Sequence, residues 1–147
     1  MNLSMSHENE LLLNTVKSFL EAEIFPYEDE VDRTGQVPIE LGRQIEKRSK
    51  EVGLFAANLP ENIGGGGLNY SAMSLVEREY GKTTHALHSW IARPTELLLA
   101  CEGDQIERYL NPCVTGEKRE LFALTEPEAG SDVMGMKTNA KRDGDDW

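Results

Sequence analysis

Apolar residues recur at helical spacing through the first two thirds of this 147-residue chain, and after Gly116 that spacing is gone. The break constrains the fold more than any other feature: a helical part ends there and a segment of another kind begins. Prolines and glycines cut the first part into helix-length pieces. One starts at Ser6, whose hydroxyl can accept from a free first-turn amide, with Glu8 and Glu10 at the positive end of the helix dipole. Leu12, Val16, Phe19 and Leu20 then share a face, and Pro26 ends or kinks the run. A second helix starts at Pro38, where a missing amide costs nothing, carries Leu41, Ile45 and Val52, and stops at Gly53. Leu54 to Leu68 reads as a loop. Ser71 offers the next cap, and Ala72, Leu75, Val76 and Tyr80 carry a third helix to Gly81. A fourth, from near Thr84, carries Leu87, Trp90 and Ile91, breaks at Pro94 and restarts through Leu97, Leu98 and Leu99. Gly103 and Asp104 form a stop and a new cap before a short helix, Gln105 to Leu110.

The remainder reads as β-structure. Glu120 to Leu124 is a short strand candidate, and Lys137 to Arg142 is another, with Thr138 and Ala140 on one face. Asp143–Gly144 is a hairpin turn signal, and Asp145 to Trp147 would begin the returning strand. So short a hairpin cannot stand alone, and open strand edges need partners. The sequence therefore reads as truncated, a helical part followed by the opening of a β-domain; the alternative is a small α-protein with a frayed tail.

Composition narrows the function. With 39% hydrophobic and 28% charged residues, the chain has material for a modest core. Its formal charge of −11 argues against binding duplex nucleic acid, which rests on cationic contacts to phosphates. There is no apolar run of the roughly 18 residues that read as a transmembrane helix. The opening MNLSMSHENELLL has no Lys or Arg, so it resembles neither a secretory signal nor a mitochondrial presequence, and a cytoplasmic location is expected. Cys101 and Cys113, with eleven residues between them, read as reduced thiols. Among His7, His85 and His88 only one close pair can share a helix face, so no metal site is expected.

Chemistry concentrates in Phe122 to Val133, FALTEPEAGSDV. A strand delivers Thr125, Pro127 fixes a turn, and Ala129, Gly130 and Ser131 are small enough to let backbone amides approach a ligand. Two hydroxyls, Thr125 and Ser131, can donate or accept. An ordinary turn and a loop contacting an anion or polar ring are both compatible with these residues. Glu126, Glu128 and Asp132 read as exposed acids, able to act as bases only if desolvated. Glu77 and Glu79 read as solvent-facing or structural charges, and Trp90 as core or pocket wall. The patch Gly64 to Gly67 does not complete a dinucleotide or P-loop pattern, and reads as a flexible connector.

FALTEPEAGSD, Phe122 to Asp132, closely resembles the signature of the acyl-CoA dehydrogenases. LPENIGGGGLNYSAMSLVEREYGK, Leu59 to Lys82, is similar to the family's loop leading into its third helix. Pro94 followed by LLLACEGDQIERYLNPCVTGEK, Leu97 to Lys118, resembles the run before the signature, and KTNAKRDGDDW the first hairpin of the middle domain. The resemblance implies a mainly α chain: the family's N-terminal helical domain at 1–118, then the first strands of a β-barrel-like middle domain at 119–147. It implies FAD as cofactor and oxidation of an acyl-CoA thioester to a trans-2-enoyl-CoA. Electrons would leave through an electron-transferring flavoprotein, and the full-length protein would be a homodimer or homotetramer. By the same resemblance, Phe122, Ala123, Leu124, Thr125, Gly130 and Ser131 contact the flavin, and Ser131 also reaches the FAD or the pantetheine arm. Trp90, within the Ala86 to Ile91 stretch that sets pocket depth, would shorten the acyl pocket or favour a short or branched acyl group. The family's catalytic Glu lies in a C-terminal domain, so no residue here is assigned that role and the fragment alone is expected to be inactive. Competing readings are an oxidase or monooxygenase of the same fold, and a non-catalytic acidic helical module that docks on a partner.

Overall fold

In a computed structural model of the chain, residues 5–91 and 93–145 are described. The first helix, α1 (His7–Glu23), begins where its cap requires: the Ser6 hydroxyl accepts from the Asn9 amide at 3.2 Å. Its buried face is Leu13, Val16, Phe19 and Leu20, with Leu12 half-buried beside it. Pro26 ends the run in a 3-10 turn, Phe25–Tyr27, as the sequence predicts.

A short helix follows that the sequence pattern does not announce, α2 (Glu28–Thr34), whose one buried residue is Val31. Next comes α3 (Ile39–Glu51), entered at Pro38 and left at Val52, with Gly53 in the left-handed region at φ 73°. Helix α4 (Tyr70–Tyr80) starts earlier than its predicted cap: the Asn69 side chain, not Ser71, accepts from the Ala72 amide at 3.0 Å. Both residue types cap well, and backbone position decides between them. Asn69→Ala should therefore cost about 1 kcal/mol in urea unfolding and Ser71→Ala almost nothing; the reverse order would return the cap to Ser71.

The fourth predicted helix shrinks to one turn, α5 (His85–His88), and the restart after Pro94 is a 3-10 stretch, Glu96–Ala100. The last helical piece runs further than predicted, from a π-type turn at Ile106–Leu110 into α6 (Asn111–Thr115).

Helix α1 packs on α4 and α3. The main core joins Val16, Phe19, Leu20 and Ile24 to Val31, Ile45, Leu54, Val76, Tyr80, Leu87 and Ile91. A second cluster of Phe55, Ala56, Leu59, Leu110 and Val114 ties the 54–68 loop to the last helix. That loop is not a loose connector. Gly66 donates to Ala56 at 3.1 Å, Gly67 to Leu59 at 2.8 Å, and Leu68 to Ala57 at 2.9 Å. A Cβ on Gly66 would lie 2.8 Å from the Ala57 Cα, so the glycines permit backbone-on-backbone packing.

No strand forms among the described residues, so the expected strands at Glu120–Leu124 and Lys137–Arg142 are not seen. A strand is defined by its neighbour's hydrogen bonds, and no ladder to either segment forms among the described residues. A turn does form at Gly144, with φ 63°, while Asp146 and Trp147 of the predicted hairpin lie outside the described residues. No described helix is long and apolar enough to cross a membrane.

Candidate functional site

The segment after α6 leaves the helical body with its apolar side chains outward: Leu121 is 97% exposed and Phe122 76%. Ala123, Leu124 and Thr125 continue exposed. The chain then reverses across Pro127 and Glu128. Glu126 donates its amide to the Ala129 carbonyl at 3.0 Å, and the Ala129 amide donates back at 3.2 Å. Ala129 is buried in this turn, while Gly130 and Ser131 beyond it face outward. A Cβ on Gly130 would meet nothing within 4 Å, so the main chain there lies open to an approaching ring or chain. Among the described residues, neither the Thr125 nor the Ser131 hydroxyl has a hydrogen-bond partner.

Of the three acids in the loop, Glu126 is engaged. Its carboxylate accepts from the Lys137 amide at 2.9 Å and the Thr138 amide at 2.8 Å. These bonds, that from Lys137 foremost, hold its pKa below the usual carboxylate range, which makes it a weak base. Glu128 pairs with the Lys137 ammonium at 2.6 Å, exposed at both ends.

Trp90 meets the C-terminal segment at Arg119. Its indole packs on Gly42 of α3, where a Cβ would run into the ring, and the Arg119 guanidinium lies 4.0 Å from a ring centroid. Arg119 also pairs with Glu46 at 2.6 Å. Burial alone would raise the Glu46 pKa, but Lys50 and Arg119 outweigh it and the pKa is lowered. Beside this junction is a cavity of about 380 Å³ lined by His85, Ser89, Arg93, Cys113, Arg119 and Leu121. Arg93 pairs with Glu77, and burial lowers its pKa. His85 Nδ1 and His88 Nε2 lie 2.7 Å apart. Burial first, then the neighbouring His85, lowers the His88 pKa. A larger cleft, about 900 Å³, separates α4 from residues 93–97. It is spanned by hydrogen bonds from Asn58 to the Pro94 carbonyl, 2.9 Å, and from Tyr70 to Glu96, 3.1 Å.

Phe122, Ala123, Leu124, Thr125, Gly130 and Ser131 thus sit on one continuous exposed segment, and Trp90 adjoins its root rather than its turn. No local pattern signals Arg119 on Trp90 or the Glu126 bonds, since each joins residues well beyond one turn or helix apart.

Residues 6–117 match the family described as acyl-CoA dehydrogenase, N-terminal domain. The chain belongs to the acyl-CoA dehydrogenase family. Curated relatives of the chain include the 3-(aryl)acrylate reductase of Clostridium sporogenes, 34% identical over 95% of this chain and 37% of that protein. The Caffeyl-CoA reductase-Etf complex subunit CarC of Acetobacterium woodii is 34% identical over 95% of this chain and 38% of its own length. The mitochondrial long-chain specific acyl-CoA dehydrogenase of Rattus norvegicus is 37% identical over 97% of this chain and 33% of its own. A solved acyl-CoA dehydrogenase from Bacillus anthracis, complexed with FAD, superposes with a TM-score of 0.73 at 27% identity, covering 91% of this chain and 23% of that one. The chain thus spans between 33% and 38% of the length of these curated relatives.

Proposed function

We propose that this chain is the N-terminal part of a FAD-dependent acyl-CoA dehydrogenase, with a helical domain at 1–118 and the start of the middle β-domain at 119–147. The observation that carries the reading is the Phe122 to Ser131 segment: exposed apolar side chains, an open main chain at Gly130, and two exposed hydroxyl-bearing residues, Thr125 and Ser131. That donor set fits a flat heteroaromatic ring with a polar edge. Apolar side chains cover its face, and amides and hydroxyls meet its heteroatoms.

Phe122, Ala123 and Leu124 would pack and offer backbone groups, Thr125 and Ser131 would donate, and Gly130 would admit the ring. Bound FAD supplies the hydride acceptor for α,β-oxidation of an acyl-CoA thioester. The chain itself binds and orients. The base that takes the α-proton belongs to a part of the family's fold not spanned here, so these 147 residues alone should not turn over. Trp90 and the neighbouring cavity are the candidate limit on acyl length. An electron-transferring flavoprotein is the proposed electron partner, a reading supported by a relative named as a subunit of an Etf complex. Two relatives carry reductase names, so the same couple deserves testing in both directions. The whole protein is proposed to be a cytoplasmic homodimer or homotetramer.

The deciding experiment is the absorbance spectrum of the full-length gene product. A flavin band that bleaches on adding an acyl-CoA, and returns on adding the enoyl-CoA, is the expected result. A folded full-length protein that neither carries nor takes up FAD would overturn the proposal.

A further inference from the structure

The turn at the candidate flavin surface is poorly supported by its own backbone. It is closed by one reciprocal pair of amide bonds, between Glu126 and Ala129. A two-stranded reversal of that size is marginal in water. Yet the turn separates the two groups of proposed flavin contacts: Phe122 to Thr125 precede it, and Gly130 and Ser131 follow. Any shift of the turn changes the spacing between the Thr125 and Ser131 hydroxyls.

One side chain ties the turn to the rest of the segment. The two Glu126 carboxylate oxygens accept separately from the consecutive amides of Lys137 and Thr138, at 2.9 and 2.8 Å. Bonds of this kind to an ionised acceptor are stronger than neutral ones, and two on one carboxylate fix its orientation. They close the stretch between Glu126 and Lys137 into a loop whose Val133–Gly135 portion is a 3-10 turn. The other link across it, Glu128 to Lys137, is an exposed ion pair, and such pairs contribute little.

We propose that Glu126 is a positioning residue. Its carboxylate clamps the turn to Lys137 and Thr138 and so holds Thr125, Gly130 and Ser131 at the spacing the flavin requires. The inference rests on the flavin reading of this loop and adds to it a residue that touches no flavin itself. Glutamine in its place keeps one acceptor oxygen but turns an amide group toward a backbone donor, so it retains part of the clamp. Alanine retains none.

The test uses Glu126→Gln, Glu126→Ala and, as control, Glu128→Ala. On the 147-residue chain, amide exchange at Lys137 and Thr138 should be slow in the wild type and in Glu128→Ala, and fast in Glu126→Ala. On the full-length protein, Glu126→Ala should weaken FAD binding about tenfold and shift the flavin absorbance bands, with helical circular dichroism unchanged. Glu126→Gln should fall between wild type and Glu126→Ala. Unchanged exchange at both amides would overturn the clamp. Wild-type flavin affinity and spectrum in both Glu126 variants would overturn its positioning role. A wild-type protein without flavin would overturn the functional reading and the positioning role together, while the exchange measurement would still report on the clamp by itself.

Discussion

Replacing Lys82 with Met should destabilise the helical domain by about 2 kcal/mol at neutral pH, and the deficit should disappear in acid. The reason is Glu79. Its side chain is 2% exposed, whereas its partners Lys82 and Arg78 are 53% and 59% exposed. The charge that would be stranded is therefore the carboxylate, and removing the exposed cation is the damaging change. Glu79 has its pKa lowered, chiefly by the Lys82 hydrogen bond and against burial, with Arg78 and Lys17 adding to Lys82. A folded value below the unfolded one means the pair stabilises fully above about pH 4.3 and is lost as pH falls through the folded value. In Lys82→Met the largest lowering influence is gone while burial still pushes the carboxyl upward, so much less of this pH-dependent stability remains. The two urea-unfolding curves should converge only as pH falls below the depressed folded pKa of Glu79. A deficit independent of pH would mean that Lys82 acts through packing rather than charge.

Gly42→Ala should also destabilise, by about 2 kcal/mol, although alanine is worth up to about 1 kcal/mol over glycine in a helix interior. Gly42 is buried on α3 and its missing Cβ is the space the Trp90 indole fills. A methyl there displaces the indole, and with it the stacked Arg119 that pairs with Glu46. The decisive check is a double-mutant cycle in unfolding free energy. In a Trp90→Ala background the same Gly42→Ala change should become neutral or stabilising. If the cost persists there, Gly42 matters for some reason other than the indole.

These two sites show where the sequence stops being informative. Glu79 reads as an ordinary helix charge, solvent-facing or structural, because it follows Glu77 and Arg78 in the chain. Its burial follows from α4 packing on α1, which puts Lys17 near it. Gly42 reads as a mild flaw in a helix, and only the arrival of Trp90 from 48 positions later in the chain explains it. Helix α2 is silent in the sequence for a related reason: with Val31 alone buried, it has no stripe to read.

The local chemistry was legible because its causes are local. The Ser6 cap, the stops at Pro26 and Gly53, the apolar faces of α1 and α4, and the family resemblance at Phe122 to Asp132 all depend on near neighbours or on residue order, whereas of the stripe expected on α3 only Ile45 is buried and Val52 is exposed. Tertiary structure alone decided what needs two distant segments at once. It chose Asn69 over Ser71, folded the glycine patch back onto Ala56 to Leu59, and set Trp90 between Gly42 and Arg119. It also engaged Glu126 with two remote amides and left the predicted strands without the ladder that would define them. A helix closes its hydrogen bonds within itself, so its sequence can announce it. Strands, clamps and stacked rings are completed by partners, and the pattern of one segment does not say which partner comes.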